Sequence, residues 1–293
     1  MKIGLISFAD IDNFGDILFG YLMKKEILDR ITADIDLITP TGRTLYGVDY
    51  VSIRESKLRA YDALILVGGE VVHFFDKRTW DPIYSKIGLE VDQPISDVVW
   101  GFVDRTDVKF RGWFSVGVRP LENEISISKI KNNIDKLSYI STRGLLSKKH
   151  LELDVFELNQ KIKITPDLGW LFAELNSLEP LLADVGSGYI LLQVHNVTGK
   201  DLTIISETLN RYFELHGIRT VLMPVIKLWS DYGDLEKLGG MIKGSTLLPE
   251  DLTPSEMLSV ISRSKLIMAS SLHVVIAGLS FGIPSGICNK WHG

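Results

Sequence analysis

The sequence predicts an α/β protein in which two domains of similar construction follow one another along the chain. Short apolar runs alternate with amphipathic stretches over nearly the whole length, which is typical of parallel strands joined by helices. The same order of elements starts a second time at Gly188. A chain of 293 residues is long enough for two domains of ordinary size.

In the first half, each predicted strand is a short apolar run that ends at a polar loop. An amphipathic helix follows the first strand, with Ile17, Leu18, Tyr21 and Leu22 at helical spacing. The other predicted helices are Ile125–Leu137 and Gly144–Leu153. The predicted strands are Ile3–Ser7, Asp36–Thr39, Ala63–Val67, Val98–Phe102, Phe114–Val118, Tyr139–Thr142 and Ile162–Thr165.

The second half repeats this pattern. Its opening segment, Tyr189–Asp201, resembles Ile3–Asp16 in having a strand, a polar loop with Asn and Gly, and then an Asp. We interpret the halves as two Rossmann-like domains, residues 1–178 and 186–293, joined near Glu174–Gly188. The predicted strands are Tyr189–Val194, Thr220–Val225, Thr246–Leu248, Leu266–Ala269 and Ile283–Ile287, and the predicted helices are Leu202–His216, Leu235–Ile242, Pro254–Ser262 and Val274–Leu279.

Composition narrows the class of protein. The net charge is −5 and no basic stripe with interleaved aromatic residues occurs, so nucleic acid is not the expected partner. Cys288 is the single cysteine, which excludes an internal disulfide. The first apolar run stops at Asp10, too early for a signal-peptide core or a membrane span. We therefore expect a cytoplasmic protein without a transmembrane segment, a metal or a cofactor.

In parallel α/β sheets, ligands bind beyond the carboxyl ends of the strands and against helix N-termini, so we expect a site in the cleft between the two domains. Asn13, Gly15 and Asp16 follow the first strand, either as ligand contacts or as an ordinary helix cap. Gly68 and Gly69 end a strongly apolar strand, where paired glycines present backbone amides to a ligand or form a plain turn.

Two arginines also stand directly after predicted strands. Arg119 ends Val116–Arg119 and Arg143 ends Ile140–Arg143. A guanidinium at such a position binds a carboxylate or phosphate, although most arginines form surface salt bridges instead. Asp167, after the next strand, is expected to have a structural role.

The most distinctive segment of the second domain is Ser270-Ser271-Leu272-His273. It joins a predicted strand to a fully apolar helix, so Ser270, Ser271 and His273 are expected at the edge of the sheet. A histidine satisfied within the core is the alternative. His195 and Asn196 follow the domain's first strand, as Asn13 does in the first domain, and are further candidates for ligand contact.

Taken in order, these segments resemble the polysaccharide pyruvyl transferase family. The resemblance spans nearly the whole chain and implies a GT-B-like fold. It also implies transfer of the pyruvyl group of phosphoenolpyruvate to a sugar or oligosaccharide of a cell-surface polysaccharide, or of its lipid- or nucleotide-linked precursor. The matching pieces are Asn13-Phe14-Gly15-Asp16, Gly68-Gly69, Val116-Gly117-Val118-Arg119, Ser141-Thr142-Arg143, Pro166-Asp167, Ser270-Ser271-Leu272-His273 and Gly282-Ile283-Pro284.

The resemblance also implies roles for particular residues. His273 would be the general acid or base, or a phosphate partner, and Arg119 and Arg143 would bind the anionic donor. Asp16 and Asn13 would orient the hydroxyls of the acceptor. No step of the implied reaction requires a metal.

The sequence departs from the family pattern in three places. Glu70 stands where many members have a third glycine, and Ser271 stands where many have an arginine. The chain also stops at Lys290–Gly293, just after the last predicted strand, and we expect it to be truncated there.

Two other functions remain open. One is a glycosyltransferase that uses a nucleotide sugar, whose ribose would be bound by an acidic residue such as Glu250, Asp251 or Glu256. The other is a non-catalytic relative.

Overall fold

The protein consists of two compact units, Met1–Leu168 and Gly169–Gly293. Part of the predicted linker (176–184), the beginning of the strand predicted at Val98 (98–100) and the predicted chain end (289–293) lie outside the described residues. The computed structural model describes residues 1–72, 84–86, 88, 101–120, 124–154, 162–175, 185–225 and 231–288.

The N-terminal unit is built on a parallel sheet of seven strands. They are β1 (Lys2–Ile6), β2 (Asp34–Thr39), β5 (Val51–Ser52), β6 (Ala63–Val67), β7 (Phe110–Val116), β8 (Tyr139–Thr142) and β9 (Ile162–Ile164), in the order β5-β2-β1-β6-β7-β8-β9. A small antiparallel hairpin of β3 (Thr44–Leu45) and β4 (Val48–Asp49) lies between β2 and β5 in the chain.

Helices connect these strands, as the crossovers of a parallel sheet require. They include α1 (Phe14–Leu28), α2 (Ile53–Ser56), α3 (Glu124–Ile134) and α4 (Leu145–Asp154), with a 3-10 helix at Ala9–Ile11. A second 3-10 helix, Leu168–Glu174, begins at the last residue of this unit and continues into the C-terminal unit. Both faces of the sheet are covered by other parts of the unit, because β1 and β6 consist almost entirely of buried residues.

The C-terminal unit has a parallel sheet of five strands with an equivalent order. The strands are β10 (Ile190–Gln193), β11 (Thr220–Leu222), β12 (Thr246–Leu247), β13 (Leu266–Ala269) and β14 (Ser285–Ile287), in the order β12-β11-β10-β13-β14. The helices are α5 (Gly199–His216), α6 (Asp231–Gly239), α7 (Pro254–Ser262) and α8 (Leu272–Ser280).

The predicted class, α/β with two Rossmann-like domains, is confirmed, and most predicted strands agree with the observed ones to within two residues. The hairpin β3–β4 was not predicted. The strand predicted at Val98–Phe102 is wrong where it can be compared, because Gly101 and Phe102 form a turn. Among the described residues, no helix is long and apolar enough to cross a membrane.

Candidate functional site

Both sheets contain a point at which the chain changes direction across the sheet. In the N-terminal sheet, the chain moves from β1 outward to β2 and β5, and then crosses to β6 on the other side of β1. The C-terminal sheet does the same around β10, with β11 on one side and β13 on the other. Ligands of open α/β sheets bind at such switch points, beyond the carboxyl ends of the two diverging strands. The residues predicted as site residues follow β1, β6, β7 and β8 in one unit and β10 and β13 in the other.

Asn13 is the N-cap of α1. Its Oδ1 accepts a hydrogen bond of 3.0 Å from the backbone N–H of Gly15 and so satisfies one of the helix's unpaired donors. The predicted cap is therefore present, while ligand contact by Asn13 and Gly15 stays a prediction.

Asp16 occupies the third position of α1. The C-terminal unit has an aspartate at the same position of α5, and that residue, Asp201, accepts a hydrogen bond of 3.0 Å from the N–H of the N-cap Thr198. Asp16 instead lies against the turn after β6, since a Cβ added to Gly69 would be 2.6 Å from its Oδ1.

Burial raises the pKa of the Asp16 carboxyl to about 7. The Arg143 guanidinium opposes this rise, and the carboxylates of Asp167 and Asp10 add to it. A helix N-terminus favours an ionised carboxylate, but that effect is smaller than the desolvation observed here. Asp16 can therefore gain or lose a proton near neutral pH.

The turn after β6 has a conformation that favours glycine. Gly68 and Gly69 have φ values of +56° and +70°, and a Cβ on Gly68 would lie 2.5 Å from the Phe19 ring. This turn packs against α1 and places Glu70 at the carboxyl edge of the sheet. The two predicted glycines are thus required by the turn, and their contact with a ligand stays a prediction.

Glu70 joins the two predicted anion-binding arginines. Its Oε1 pairs with Nε of Arg119, and its Oε2 lies 3.0 Å from Nη2 of Arg143. Arg143 also reaches Asp167, at 3.3 Å between Nη1 and Oδ2. The Arg143 side chain is only 13% exposed, whereas that of Arg119 is 65% exposed. The two guanidinium groups therefore converge on one carboxylate, and that carboxylate belongs to the chain itself.

A bulge in β7 precedes Arg119. The register between β7 and β8 shifts between Trp113 and Val116, and Ser115 has a φ of +55°. Ser115 is held there because its N–H donates to Oγ of Ser141 at 2.9 Å and its hydroxyl donates to the Pro166 carbonyl at 2.8 Å. Bulges of this kind redirect the end of a strand near functional sites.

Gly117, just after β7, makes room for a guanidinium. A Cβ at this position would lie 2.7 Å from Nε of Arg143 and 3.0 Å from Cα of Glu70. Any larger residue would displace the Arg143 side chain or the turn that carries Glu70.

In the C-terminal unit, His195 and Ser270 contact each other at the switch point. Nδ1 of His195 is 2.9 Å from Oγ of Ser270, and the His195 N–H donates to the same oxygen at 3.2 Å. Asn196 is exposed and left-handed, with a φ of +56°. The structure thus brings together His195 and Ser270, which sequence analysis predicted separately.

Gln193 holds the start of α8. Its Oε1 accepts a hydrogen bond of 2.8 Å from the N–H of Ser271, the N-cap residue, and its Nε2 donates to Oδ2 of Asp231 at 3.1 Å. His273 is the second residue of this helix and is partly exposed, so it is not enclosed in the core. Its predicted role in catalysis stays a prediction.

Three polar residues near these sites were not singled out from the sequence. Gln193 and Asp231 are buried in the C-terminal unit, and the only available signal was that Gln193 ends an otherwise apolar strand. Asp10 is buried in the N-terminal unit, where it accepts hydrogen bonds of 2.9 Å from the N–H and hydroxyl of Thr41. Burial raises the pKa of Asp10 to about 6.

Comparison with solved structures identifies the fold as GT-B. A putative UDP-N-acetylglucosamine 2-epimerase from Listeria monocytogenes aligns with a TM-score of 0.61 and 12% identity, covering 99% of this chain and 79% of that one. The UDP-GlcNAc 2-epimerase from Neisseria meningitidis bound to UDP-GlcNAc gives 0.57 and 11%, covering 97% and 81%. The E. coli heptosyltransferase WaaC with ADP-2-deoxy-2-fluoro heptose gives 0.50 and 11%, covering 100% and 91%.

The family follows from the sequence match. The model of the polysaccharide pyruvyl transferase family matches residues 13–289, nearly the whole chain. The protein therefore belongs to the polysaccharide pyruvyl transferase family, a family of transferases. Comparison with curated protein sequences gives no match.

Proposed function

We propose that the protein transfers the pyruvyl group of phosphoenolpyruvate to a sugar of a cell-surface polysaccharide, or of its lipid- or nucleotide-linked precursor, and so forms a pyruvate ketal. The observation that carries this proposal is the convergence of Arg119 and Arg143 on one carboxylate. Phosphoenolpyruvate has a carboxylate and a phosphate, the two groups for which guanidinium is best suited. Membership of the family supports the same reaction.

The proposed reaction joins two sugar hydroxyls to one carbon. A proton added to the methylene carbon makes it a methyl group and gives the neighbouring carbon cationic character. One sugar oxygen bonds to that carbon, the bond to the phosphate oxygen breaks, and the second sugar oxygen then closes the ketal. Of the two hydroxyl protons, one balances the new methyl group and the other leaves with phosphate. No metal is needed for any of these steps.

Asp16 is proposed as the base for an acceptor hydroxyl, with Asn13 beside it. A general base works best when its pKa is close to the working pH, and burial brings the pKa of Asp16 to about 7. An aspartate with the ordinary value of 3.8 would accept a proton less readily. The unusual pKa of Asp16 therefore supports a role in proton transfer.

His273 is proposed as the proton donor or phosphate partner. It lies at the N-terminus of α8, and the dipole of a helix favours an anion at that end. His195 and Ser270 form the neighbouring polar pair and are proposed to bind the same donor. Many family members have an arginine at the position of Ser271. In this protein, imidazole and backbone N–H groups of the C-terminal unit would therefore bind the anion without a guanidinium.

A nucleotide-sugar glycosyltransferase is the alternative that the fold allows, and the E. coli heptosyltransferase WaaC is described with an ADP-heptose analogue. Of the acidic residues considered for binding a ribose, Glu256 is already engaged. Its carboxylate accepts a hydrogen bond of 2.7 Å from the N–H of Thr253 and caps α7. Glu250 and Asp251, both exposed, are the remaining candidates for this alternative.

The test is release of inorganic phosphate from phosphoenolpyruvate with a panel of acceptor glycans, followed by mass spectrometry of the product. We expect release only with a suitable acceptor and a product heavier by one pyruvyl group. His273→Gln and Arg143→Gln should abolish release. If no acceptor glycan in the panel gives phosphate release and a nucleotide sugar raises the thermal stability of the protein, the glycosyltransferase is favoured. Unchanged biological activity of His273→Ala would favour a non-catalytic relative.

A further inference from the structure

The side chain of Glu70 occupies the position at which an anion would meet both arginines. It places one carboxylate oxygen on Arg119 and the other on Arg143, so it bridges two cations as a substrate carboxylate would. The residues of this bridge lie 49 and 73 positions apart in the sequence, so strand order and not local chain geometry brings them together.

The pairing is unequal between the two arginines. The Arg119 side chain is 65% exposed, and an ion pair so open to water contributes little. Arg143 is 13% exposed and also touches Asp167, which is 7% exposed. The Glu70 carboxylate therefore has its main effect at Arg143, where water screens charges less.

The cluster formed by the two arginines, Glu70 and Asp167 is electrically neutral when all four side chains are ionised. Two guanidinium groups face the carboxylates of Glu70 and Asp167, so the group has no excess positive charge to offer an arriving anion. Asp167 is buried against the sheet end, whereas Glu70 is 37% exposed on a turn next to Gly69. Of the two carboxylates, Glu70 is the one that can move away.

We infer that Glu70 is an internal competitor for the anionic substrate, and that this residue sets the affinity of the Arg119–Arg143 pair for phosphate and carboxylate ligands. The inference rests on the proposed function, because it takes these arginines as the anion-binding groups. Substrate binds by displacing Glu70 from Arg143, and the displaced carboxylate moves into solvent. The residue therefore weakens binding of every anion and favours a ligand with two anionic groups, which can replace both contacts.

Calorimetric titration of the full chain with phosphoenolpyruvate and, separately, with inorganic phosphate tests this inference. Glu70→Gln keeps the shape of the side chain and removes its charge, so we expect both ligands to bind about tenfold more tightly. Glu70→Asp is too short to bridge both arginines and should give an intermediate gain. Steady-state kinetics should show a lower KM for phosphoenolpyruvate in Glu70→Gln with little change in kcat.

The matched control is Glu55→Gln. Glu55 is also a half-exposed glutamate paired with an arginine, Arg59, in the same unit, but it lies on α2 after the edge strand β5, which β2 and β1 separate from β6. This variant should leave both affinities unchanged. Thermal unfolding of each variant verifies that it is folded.

Three outcomes separate the inference from the proposed function. Equal or weaker binding of both ligands by Glu70→Gln and Glu70→Asp overturns the inference, even if Arg143→Gln abolishes phosphoenolpyruvate binding and thereby supports the function. Tighter phosphate binding by both Glu70 variants, with no binding of phosphoenolpyruvate by any of them, supports the inference and counts against the function. An equal gain in Glu55→Gln would reveal a general charge effect and also overturns the inference.

Discussion

Replacement of Asp16 by asparagine should stabilise the protein at neutral and alkaline pH while removing its activity. The folded protein keeps the Asp16 proton up to about pH 7, whereas an ordinary aspartate in the unfolded chain releases it near 3.8. The stabilising contribution of this group is therefore complete below 3.8 and is lost as the pH rises to about 7. At 1.36 kcal/mol for each tenfold change in proton affinity, the full loss is about 4 kcal/mol, which is an upper limit because Asp16 retains some contact with solvent.

Urea unfolding of the wild type and Asp16→Asn across the pH range from about 4 to about 8 measures this difference. We expect the free energies of unfolding to converge at the acidic end and the variant to be more stable at the alkaline end. Asp29→Asn, at the exposed C-terminal end of α1, is the control and should show no such divergence. Parallel curves for wild type and Asp16→Asn would refute the reasoning, because they would mean that folding does not change the proton affinity of Asp16.

Three further changes test the packing around the candidate sites. Gly117→Ala should raise the KM for phosphoenolpyruvate about tenfold or more in phosphate-release assays, since its Cβ would lie 2.7 Å from Nε of Arg143. Gln193→Leu should lower the free energy of unfolding by about 2 kcal/mol in urea titrations, because it removes a donor from the buried carboxylate of Asp231. Gly278→Ala should cost about 1–3 kcal/mol in the same measurement, since its Cβ would lie 2.3 Å from the side chain of Ile267. Wild-type values in any of these assays would contradict the corresponding contact.

Strands of this fold were predictable from the sequence where every residue of the strand is apolar. Parallel strands covered on both faces are apolar throughout, and for that reason Ala63–Val67 and Leu266–Ala269 were predicted with the observed limits. The hairpin β3–β4 was not predictable in this way, because strands of two residues have no periodicity to detect. Its turn includes Tyr46, whose φ of +50° is one that sequence preferences would not assign to a tyrosine.

The sequence predicted where the candidate residues lie in the fold, but not which side chains they contact. The rule that ligands bind at the carboxyl ends of parallel strands selected Asp16, Arg119 and Arg143, and in the structure each of them follows a strand of the N-terminal sheet. Their contact with a ligand stays a prediction. The rule could not reveal that both arginines pair with Glu70, since that depends on β6 lying directly beside β7. From the sequence, Glu70 was noticed only as a departure from the family pattern, in which many members have a third glycine at this position.

The two aspartates at the third positions of α1 and α5 show why a local sequence pattern does not predict the chemical role of a residue. Both follow a strand and a polar loop, and the sequence alone gives no reason to treat them differently. Asp201 accepts the N–H of its own N-cap residue and is thereby occupied within its own turn. At the start of α1 the side chain of Asn13 accepts the N–H of Gly15, and the Asp16 carboxylate lies beside the turn after β6 instead of bonding to its own N-cap residue. The Asp16 carboxylate lies against Gly69 and interacts electrostatically with Arg143, and burial raises its pKa to about 7. The pattern sets where each helix begins, and the neighbouring strands determine which carboxylate can exchange a proton.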